Sequence, residues 1–166
     1  MRVLAYKDFK EVFIKEYEEY TLLYDTVKAK QKAIIDNDIQ LLADILRQEQ
    51  AIIEKIEELE AARQEILNKL AQKEGRESNK PLSFTELMEL VPGERDELVQ
   101  LKDNFLQLLD KLQEINQENR ELIEHSLKIT ETSLEFIREA TGRVNLYSSR
   151  NDESSVQTEH IVDKRI

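Results

Sequence analysis

The sequence predicts an all-α fold, an antiparallel three-helix bundle or coiled coil of long helices. Only three Gly and two Pro residues interrupt 166 positions, and both residue types disfavour helix interiors. Leu, Ile, Glu, Lys and Gln, which favour helices, are abundant. Apolar residues also recur at steps of three and four, the period of an amphipathic helix. One short extra helix and a flexible C-terminal tail complete the prediction, with a bundle domain at residues 1–142 and the tail at 143–166.

The acidic charge of the chain is concentrated in the predicted bundle. The formal net charge is −11. Residues 143–166 hold four bases and four acids, so the excess lies in residues 1–142, which contain 31 acids and 20 bases. Because such a surface repels phosphate, nucleic acid and anionic membranes are poor candidates as partners.

The chain lacks the usual features of secreted and membrane proteins. It contains no cysteine, which excludes disulfides and thiolate chemistry and fits a reducing compartment. The N-terminal stretch MRVLAYKDFKEVF carries charges and has no apolar segment of the signal-peptide kind. No apolar run approaches the roughly 20 residues that span a bilayer. We therefore expect a cytoplasmic protein that does not insert into a membrane.

The first two predicted helices are joined by a tight turn. Helical spacing predicts the first helix over about residues 5–35, and we expect its stripe of Phe and Tyr side chains to pack in the core. Residues 35–38, with the sequence IDND, interrupt the apolar pattern. Because Asp and Asn side chains cap helices well, Asp36, Asn37 or Asp38 is expected at the start of the second helix.

The second helix is predicted over about residues 38–74, with an apolar seam that alternates steps of three and four. Glu49 and Arg63 fall inside this seam. We expect their aliphatic stems to be buried and their charged groups to reach the edge of the packing.

A short helix is predicted between the second and the last long helix. Residues 75–82, GRESNKPL, have the composition of a polar loop. Ser83 and Glu86 then form a capping-box pattern, which opens a helix over about residues 84–91. Such a short helix is stable only when it packs on its neighbours.

The last helix, predicted over about residues 94–140, changes character along its length. Thr141 and Gly142 are expected to end it. In heptad numbering its d positions remain apolar throughout, as Leu101, Leu108, Ile115, Leu122, Ile129 and Phe136. Its a positions turn polar or small halfway, in the order Leu98, Phe105, Leu112, Asn119, Ser126, Ser133 and Ala140. This change predicts that the second half is not sealed in a permanent core.

A further apolar stripe lies on a flank of this second half. Its members are Ile123, Leu127, Leu134 and Ile137, with Thr130 among them. A broad apolar surface of this kind usually marks a site for a partner. The alternative is that the first helix or a second copy of the chain covers it.

Several short sequence patterns follow one another in a fixed order along the chain. The longest is L-x-x-I-N-x-x-N-x-x-L-I-x-x-S-L at residues 112–127, and Leu146-Tyr147 follows it. Upstream are a Tyr-rich first helix and three patterns: K-A-I-I-x-x-D at 32–38, E-x-x-I-I at 49–53 and L-E-x-x-R at 59–63. In this order and spacing they resemble the FlgN family of flagellar export chaperones over nearly the whole chain.

This resemblance implies a cytosolic chaperone that binds hook-associated proteins, keeps them unassembled and delivers them to the flagellar type III export gate. It places substrate binding on the long C-terminal helix, with the candidates Asn119, Leu122, Ile123, Ser126, Leu127, Thr130, Leu134 and Ile137. It also implies that Leu146 and Tyr147 dock on the cytoplasmic domain of the gate. The chain departs from the family pattern at Ser148, where a Gly commonly follows the Tyr.

No arrangement of residues in the sequence points to catalysis. The two histidines, His125 and His160, lie in different regions, and the glycines at 75, 93 and 142 do not form a phosphate-binding loop. We therefore expect neither enzymatic activity, nor a cofactor, nor a metal site. Two other functions stay open, a flagellar chaperone for a different substrate such as the filament cap protein, and a structural coiled-coil adaptor that assembles with itself.

Overall fold

The structure is a computed structural model that describes residues 2–75 and 82–151, with side chains for 5–75 and 82–141. In these ranges it contains four α-helices and no strand, which confirms the all-α prediction. The helices are α1 (Arg2–Ile35), α2 (Ile39–Lys73), α3 (Phe84–Leu90) and α4 (Arg95–Asn151), and a 3₁₀ turn, Pro92–Glu94, leads into α4.

The turn between α1 and α2 confirms the predicted capping residue. A side-chain oxygen of Asp38, Oδ1, accepts a hydrogen bond of 2.9 Å from the backbone N–H of Leu41. Asn37 adopts a φ of 53°, a left-handed conformation that Asn tolerates better than most residues. These two residues reverse the chain direction within three positions, so that α2 returns along α1.

The capping box at the start of α3 is present as predicted. The Oγ of Ser83 accepts a hydrogen bond of 3.3 Å from the N–H of Glu86, and Oε2 of Glu86 accepts one of 2.7 Å from the N–H of Ser83. Leu87 in the middle of this helix is fully buried. Burial of Leu87 therefore supplies the packing that a seven-residue helix needs.

Side-chain pairs fix the directions of the three long helices. Lys30 pairs with Glu49, and Glu16 pairs with Arg63, so α1 and α2 run antiparallel. Phe13 stacks on Phe105 at 5.1 Å between ring centroids, and Asn119 lies beside Val27 further along both helices. Because the positions on both rise together, α4 runs parallel to α1 and antiparallel to α2. The predicted antiparallel succession is thereby confirmed.

The core consists of two clusters of buried side chains. The first joins the aromatic stripe of α1 to α2, α3 and the start of α4, through Tyr6, Phe9, Phe13, Leu67, Leu70, Ala71, Leu82, Leu87, Leu98 and Phe105. The second is aliphatic and comprises Leu23, Val27, Ile52, Ile56, Leu112 and Ile115. The expected role of the aromatic stripe as core is confirmed for Phe9 and Phe13, which are nearly inaccessible to solvent.

The predicted end of α4 at Thr141 and Gly142 is wrong, because the helix continues to Asn151. One glycine costs a helix about 1 kcal/mol relative to alanine, and residues 143–151 contain no Pro to stop it. The Oγ1 of Thr141 donates to the carbonyl oxygen of Ile137 at 2.7 Å, the helical i−4 position. Residues 143–151 are therefore helical, and the prediction of a flexible tail at 152–166 lies outside the described residues.

The chain divides into two compact units, Met1–Ile123 and Glu124–Ile166. This division falls earlier than the predicted domain boundary at residue 142. The first unit contains both core clusters. The described part of the second unit is helix throughout, and its side chains at 124–141 are all exposed.

Candidate functional site

The second half of α4 keeps its apolar pattern beyond the point where its side chains are buried. Up to Ile115 the seam of this helix lies in the core. From Ile123 to residue 141 every described side chain is exposed. The large apolar side chains in this stretch form what we name the α4 apolar face, comprising Ile123, Leu127, Ile129, Leu134, Phe136 and Ile137. Phe136 is 72 % exposed and Leu127 59 %, which is unusual for such residues on a folded chain.

The α4 apolar face has a shallow groove along its length. Large apolar side chains and the small side chain of Ser133 both line it. The groove has a volume of about 750 Å³ and is lined by His125, Lys128, Ile129, Thr132, Ser133, Phe136 and Ile137. All of these lining residues belong to α4.

Hydroxyl groups in and beside the groove are already hydrogen-bonded within the helix. The hydroxyls of Thr130, Thr132 and Ser133 donate to backbone carbonyl oxygens four residues earlier, at 2.8–3.0 Å. A partner that covers these groups therefore leaves no hydroxyl donor unsatisfied. Covering this surface with an apolar partner therefore costs less than the number of its hydroxyl groups suggests.

The rest of the helix surface between residues 124 and 139 is acidic. This stretch carries four carboxylates and two basic side chains, namely Glu124, Glu131, Glu135, Glu139, Lys128 and Arg138. Charges beside an apolar surface favour partners of complementary charge and set the orientation of docking. A partner segment with basic residues next to its own apolar surface fits this helix best.

Asn119, predicted for the binding surface, lies instead in the core. Its side chain is 2 % exposed, and its Nδ2 donates a hydrogen bond of 3.1 Å to the carbonyl oxygen of Val27. Its Oδ1 is buried and has no hydrogen-bond partner among the described residues. Asn119 thus ties α4 to α1 at the last fully buried layer of the seam.

The other predicted binding residues are exposed, with one exception. Leu122 is half-buried. The remaining six share the exposed half of α4, as Ile123, Ser126, Leu127, Thr130, Leu134 and Ile137. Ile129 and Phe136 were predicted in the d seam and not among the binding residues, yet both are exposed. The signal was available, because the small a positions opposite them already indicated a helix without a core.

The predicted gate-docking residues Leu146 and Tyr147 lie within α4, which extends to Asn151. They are therefore on a helix rather than on the irregular segment expected after Gly142. Their side chains lie outside the described ones, and the docking role stays a prediction.

Two ion pairs link α1 and α2 through Glu49 and Arg63, whose charged groups were expected at the edge of the packing. Nε of Arg63 lies 2.8 Å from Oε2 of Glu16, whose side chain is 2 % exposed. Nζ of Lys30 lies 2.7 Å from Oε1 of Glu49, both largely buried. The side chains of Glu49 and Arg63 are 15 % and 24 % exposed, so both are partly buried and lie at the margin of the core. Burial raises the pKa of the Glu16 carboxyl, although the charge of Arg63 acts in the opposite direction.

A third polar contact between these helices involves Tyr20. Its hydroxyl donates a hydrogen bond of 3.0 Å to Oε1 of Glu60. Burial, followed by this hydrogen bond, raises the pKa of Tyr20 to about 12. These three polar contacts link α1 to α2.

A comparison with known protein families identifies the family of the chain and, with it, the class of function. Residues 1–155 match the FlgN protein family. The chain belongs to the FlgN family. FlgN proteins are flagellar export chaperones, so the resemblance inferred from the patterns at 32–63 and 112–127 is confirmed.

No curated protein and no solved structure was found to match this FlgN chain. Among its described residues, no helix is long and apolar enough to cross a membrane. The same part of the chain contains no group of three or more His, Cys, Asp or Glu side chains that could hold a metal ion.

Proposed function

We propose that this FlgN protein is a cytosolic chaperone for hook-associated proteins, and that the α4 apolar face is its binding surface. On this proposal it covers an apolar segment of the hook–filament junction protein, keeps it unassembled, and delivers it to the flagellar type III export gate. Leu146 and Tyr147 dock on the cytoplasmic domain of that gate.

The observation that carries the proposal is the exposure of the α4 apolar face. Six large apolar side chains between residues 123 and 137 lie in water, although the core of the first unit is well packed. Burying one such side chain contributes roughly 1.5–3 kcal/mol. Leaving six exposed is therefore costly unless a partner covers them, and a flagellar export chaperone has such a partner.

The position of Asn119 sets the N-terminal limit of the proposed binding surface. Because its side chain is buried against Val27, it cannot contact a partner in this conformation. Its contribution is to fix α4 on α1 immediately before the exposed half begins. The binding surface proper thus starts at Ile123.

The double variant Leu127→Asp with Leu134→Asp tests the binding surface. Both side chains are more than half exposed, so the fold should be retained. Removing two apolar contacts and adding charge should weaken binding of a purified hook-associated protein at least about 100-fold, since each Leu contributes roughly 1.5–3 kcal/mol and 1.4 kcal/mol is a tenfold change. Titration calorimetry measures the affinity, and circular dichroism checks the fold.

The control for this test is Glu131→Gln with Glu135→Gln, two changes on the acidic side of the same helix. This variant should bind within about fivefold of the unmodified protein, because charges at the rim of an interface contribute little. Unfolding of the Asp variant would show that the surface is core. Full binding by the Asp variant would place the substrate site elsewhere. Tight binding of the filament cap protein, with none of hook-associated proteins, would favour the other chaperone class.

Docking at the export gate is tested separately, with Tyr147→Ala. This change should weaken capture by the purified cytoplasmic domain of the gate and lower motility, because a Tyr ring can bury a large area in an interface. Affinity for the hook-associated protein should stay within about twofold. Lost partner binding with unchanged gate capture would reverse the two assignments.

A further inference from the structure

The groove on the α4 apolar face contains a positive charge and no negative one. Among the residues that line it, Lys128 carries the only full charge, and His125 is the only other ionisable side chain. No acidic residue lines the groove, although the stretch from 124 to 139 carries four carboxylates. The charge inside the groove is therefore opposite to that of most of the surrounding helix.

His125 and Lys128 lie about one helical turn apart on the same side of α4. Side chains three positions apart on a helix have Cβ atoms about 5–6 Å from each other. An imidazole and an ammonium group can both donate hydrogen bonds to one carboxylate. With Ile129 and Thr132 they complete the spacing i, i+3, i+4 and i+7, which on a helix surrounds one inserted side chain of a partner. A partner side chain placed there meets both donors.

The next depression along the groove is apolar. The same spacing recurs four positions later, with Ile129, Thr132, Ser133 and Phe136. The hydroxyls of Thr132 and Ser133 already donate to backbone carbonyl oxygens, and the small Ser133 leaves room for a large side chain. The two depressions together suit a carboxylate that lies about one helical turn from a large apolar group.

The ammonium group of Lys128 is available to a charge from outside the chain. Three other exposed lysines each pair with a glutamate three or four positions away, namely Lys15, Lys55 and Lys69. Lys128 has glutamates at the same spacings, at positions 124 and 131. It nevertheless forms no ion pair among the side chains that the structure describes.

A partner that fills the groove removes water from Lys128. An unpaired charge is costly to bury, so an entirely apolar segment fits this groove poorly. A carboxylate from the segment replaces the lost water, because hydrogen bonds between charged groups are stronger than those between neutral ones. Basic residues on the outer sides of the same segment meet the glutamates that surround the groove.

We propose that Lys128, together with His125, determines which segment the α4 apolar face accepts. The accepted segment carries an acidic residue within its apolar surface and basic residues outside it. A segment with the same apolar pattern but a neutral or basic residue at this point is rejected. This inference rests on the function proposed above, because it concerns the segment of the hook-associated protein that binds there.

Two substitutions of Lys128 test this selectivity, with a purified hook-associated protein as the partner and titration calorimetry as the measurement. Lys128→Met should weaken binding at least about fivefold, because it leaves the partner's carboxylate unpaired. Lys128→Glu should weaken it at least about 30-fold, because it adds repulsion. If Lys128 only lays its aliphatic stem over the apolar surface, Lys128→Met would bind as tightly as the unmodified chain or more tightly, and the proposal would be overturned.

Arg138→Glu is the matched control. Arg138 is the other basic residue of this stretch, and it is exposed without lining the groove. Its replacement makes the same change in net charge as Lys128→Glu but should alter the affinity by no more than about threefold. Circular dichroism should be unchanged in all three variants, since both side chains are exposed. Equal losses of affinity in the two Glu variants would show that net charge alone matters and would contradict a selective role of Lys128.

An exchange of charges identifies the partner's acidic residue. The Asp and Glu residues of the hook-associated protein are changed to Lys one at a time. One of these variants should bind the Lys128→Glu chain at least about tenfold more tightly than it binds the unmodified chain. If every variant prefers the unmodified chain, Lys128 does not select a carboxylate.

The double variant Leu127→Asp with Leu134→Asp separates this inference from the function on which it rests. If that variant loses binding while Lys128→Glu keeps it, the α4 apolar face is the binding surface and the selectivity is wrong. If both variants bind like the unmodified chain, or if the unmodified chain does not bind, the proposed function is wrong and the selectivity falls with it.

Discussion

Asn119 is the last fully buried residue in the seam of α4. Its amide donates to the carbonyl oxygen of Val27, yet its Oδ1 is buried without a partner in the described structure. A buried, unsatisfied polar atom costs about 1–3 kcal/mol. Within coiled coils such a residue is retained because it fixes register. Here it fixes the register of α4 on α1 directly before the exposed half of the helix.

Asn119→Leu should therefore raise the free energy of unfolding by about 1 kcal/mol, because it removes the unsatisfied oxygen and adds apolar burial. Asn119→Asp, of nearly the same shape, should lower it by at least about 2 kcal/mol, since it places an uncompensated charge in the core. Urea denaturation measures both. A Leu variant that is clearly less stable than the unmodified protein would mean that the hydrogen bond to Val27 outweighs the buried oxygen.

The raised pKa of Tyr20 predicts that the folded chain loses stability at alkaline pH. Its pKa is raised from 10.0 to about 12 in the folded chain, by burial and by the hydrogen bond to Glu60. A raised pKa means that the folded state holds the proton more tightly, so this contribution is complete below pH 10 and is lost as the pH rises towards 12. The urea midpoint should consequently fall less steeply between pH 10 and 12 in Tyr20→Phe than in the unmodified protein. Identical slopes would remove Tyr20 as the cause.

Among the helices, features that depend on neighbouring residues, such as caps, were predictable from the sequence. Features that depend on distant helices, such as side-chain exposure, were not. The Asp38 cap and the Ser83 capping box involve residues three positions apart, so their chemistry is visible in the sequence. The polar and small a positions of α4 indicate a second half that is not sealed in a core. They do not say how far each side chain is exposed, because the exposure of Ile129 and Phe136 depends on where the other helices stop. The predicted stop at Gly142 failed because a penalty of about 1 kcal/mol is too small to end a helix by itself.

Gly142→Ala tests the continuation of α4 past residue 142. In a helix interior, Ala is favoured over Gly by about 1 kcal/mol, so amide exchange in residues 138–148 should slow about fivefold. If Gly142 instead ended the helix in a left-handed conformation, a Cβ would strain it and the same amides would exchange faster. Exchange in α2 provides an internal control and should not change.

In the molecule as a whole, the buried core and the exposed apolar side chains of α4 lie in different parts of the chain. Both core clusters lie within the unit Met1–Ile123, while most of the α4 apolar face belongs to the unit Glu124–Ile166. The apolar side chains that stabilise the fold and those available to a partner are therefore different sets. A change on the α4 apolar face can consequently alter binding without altering the stability of the core.

This separation predicts that a substitution in the core lowers the stability of the chain far more than one on the α4 apolar face. Leu108→Asp should unfold the chain, because Leu108 is buried and a buried unpaired carboxylate costs several kcal/mol, comparable with the ~5–15 kcal/mol stability of a domain. Phe136→Asp should leave the melting temperature within a few degrees, since its ring is already in water. Equal losses of stability in the two variants would contradict the division between core and face.

Hydrogen–deuterium exchange with and without a purified hook-associated protein tests whether the α4 apolar face is the binding surface, because it reports on every segment of the unmodified chain at once. Amides of residues 123–141 should exchange at least about tenfold more slowly in the complex, since a bound partner suppresses opening of this helix. Amides of residues 5–75 should exchange at the same rate in both states. Protection confined to α1 and α2, with residues 123–141 unchanged, would contradict the assignment of the α4 apolar face as the binding surface.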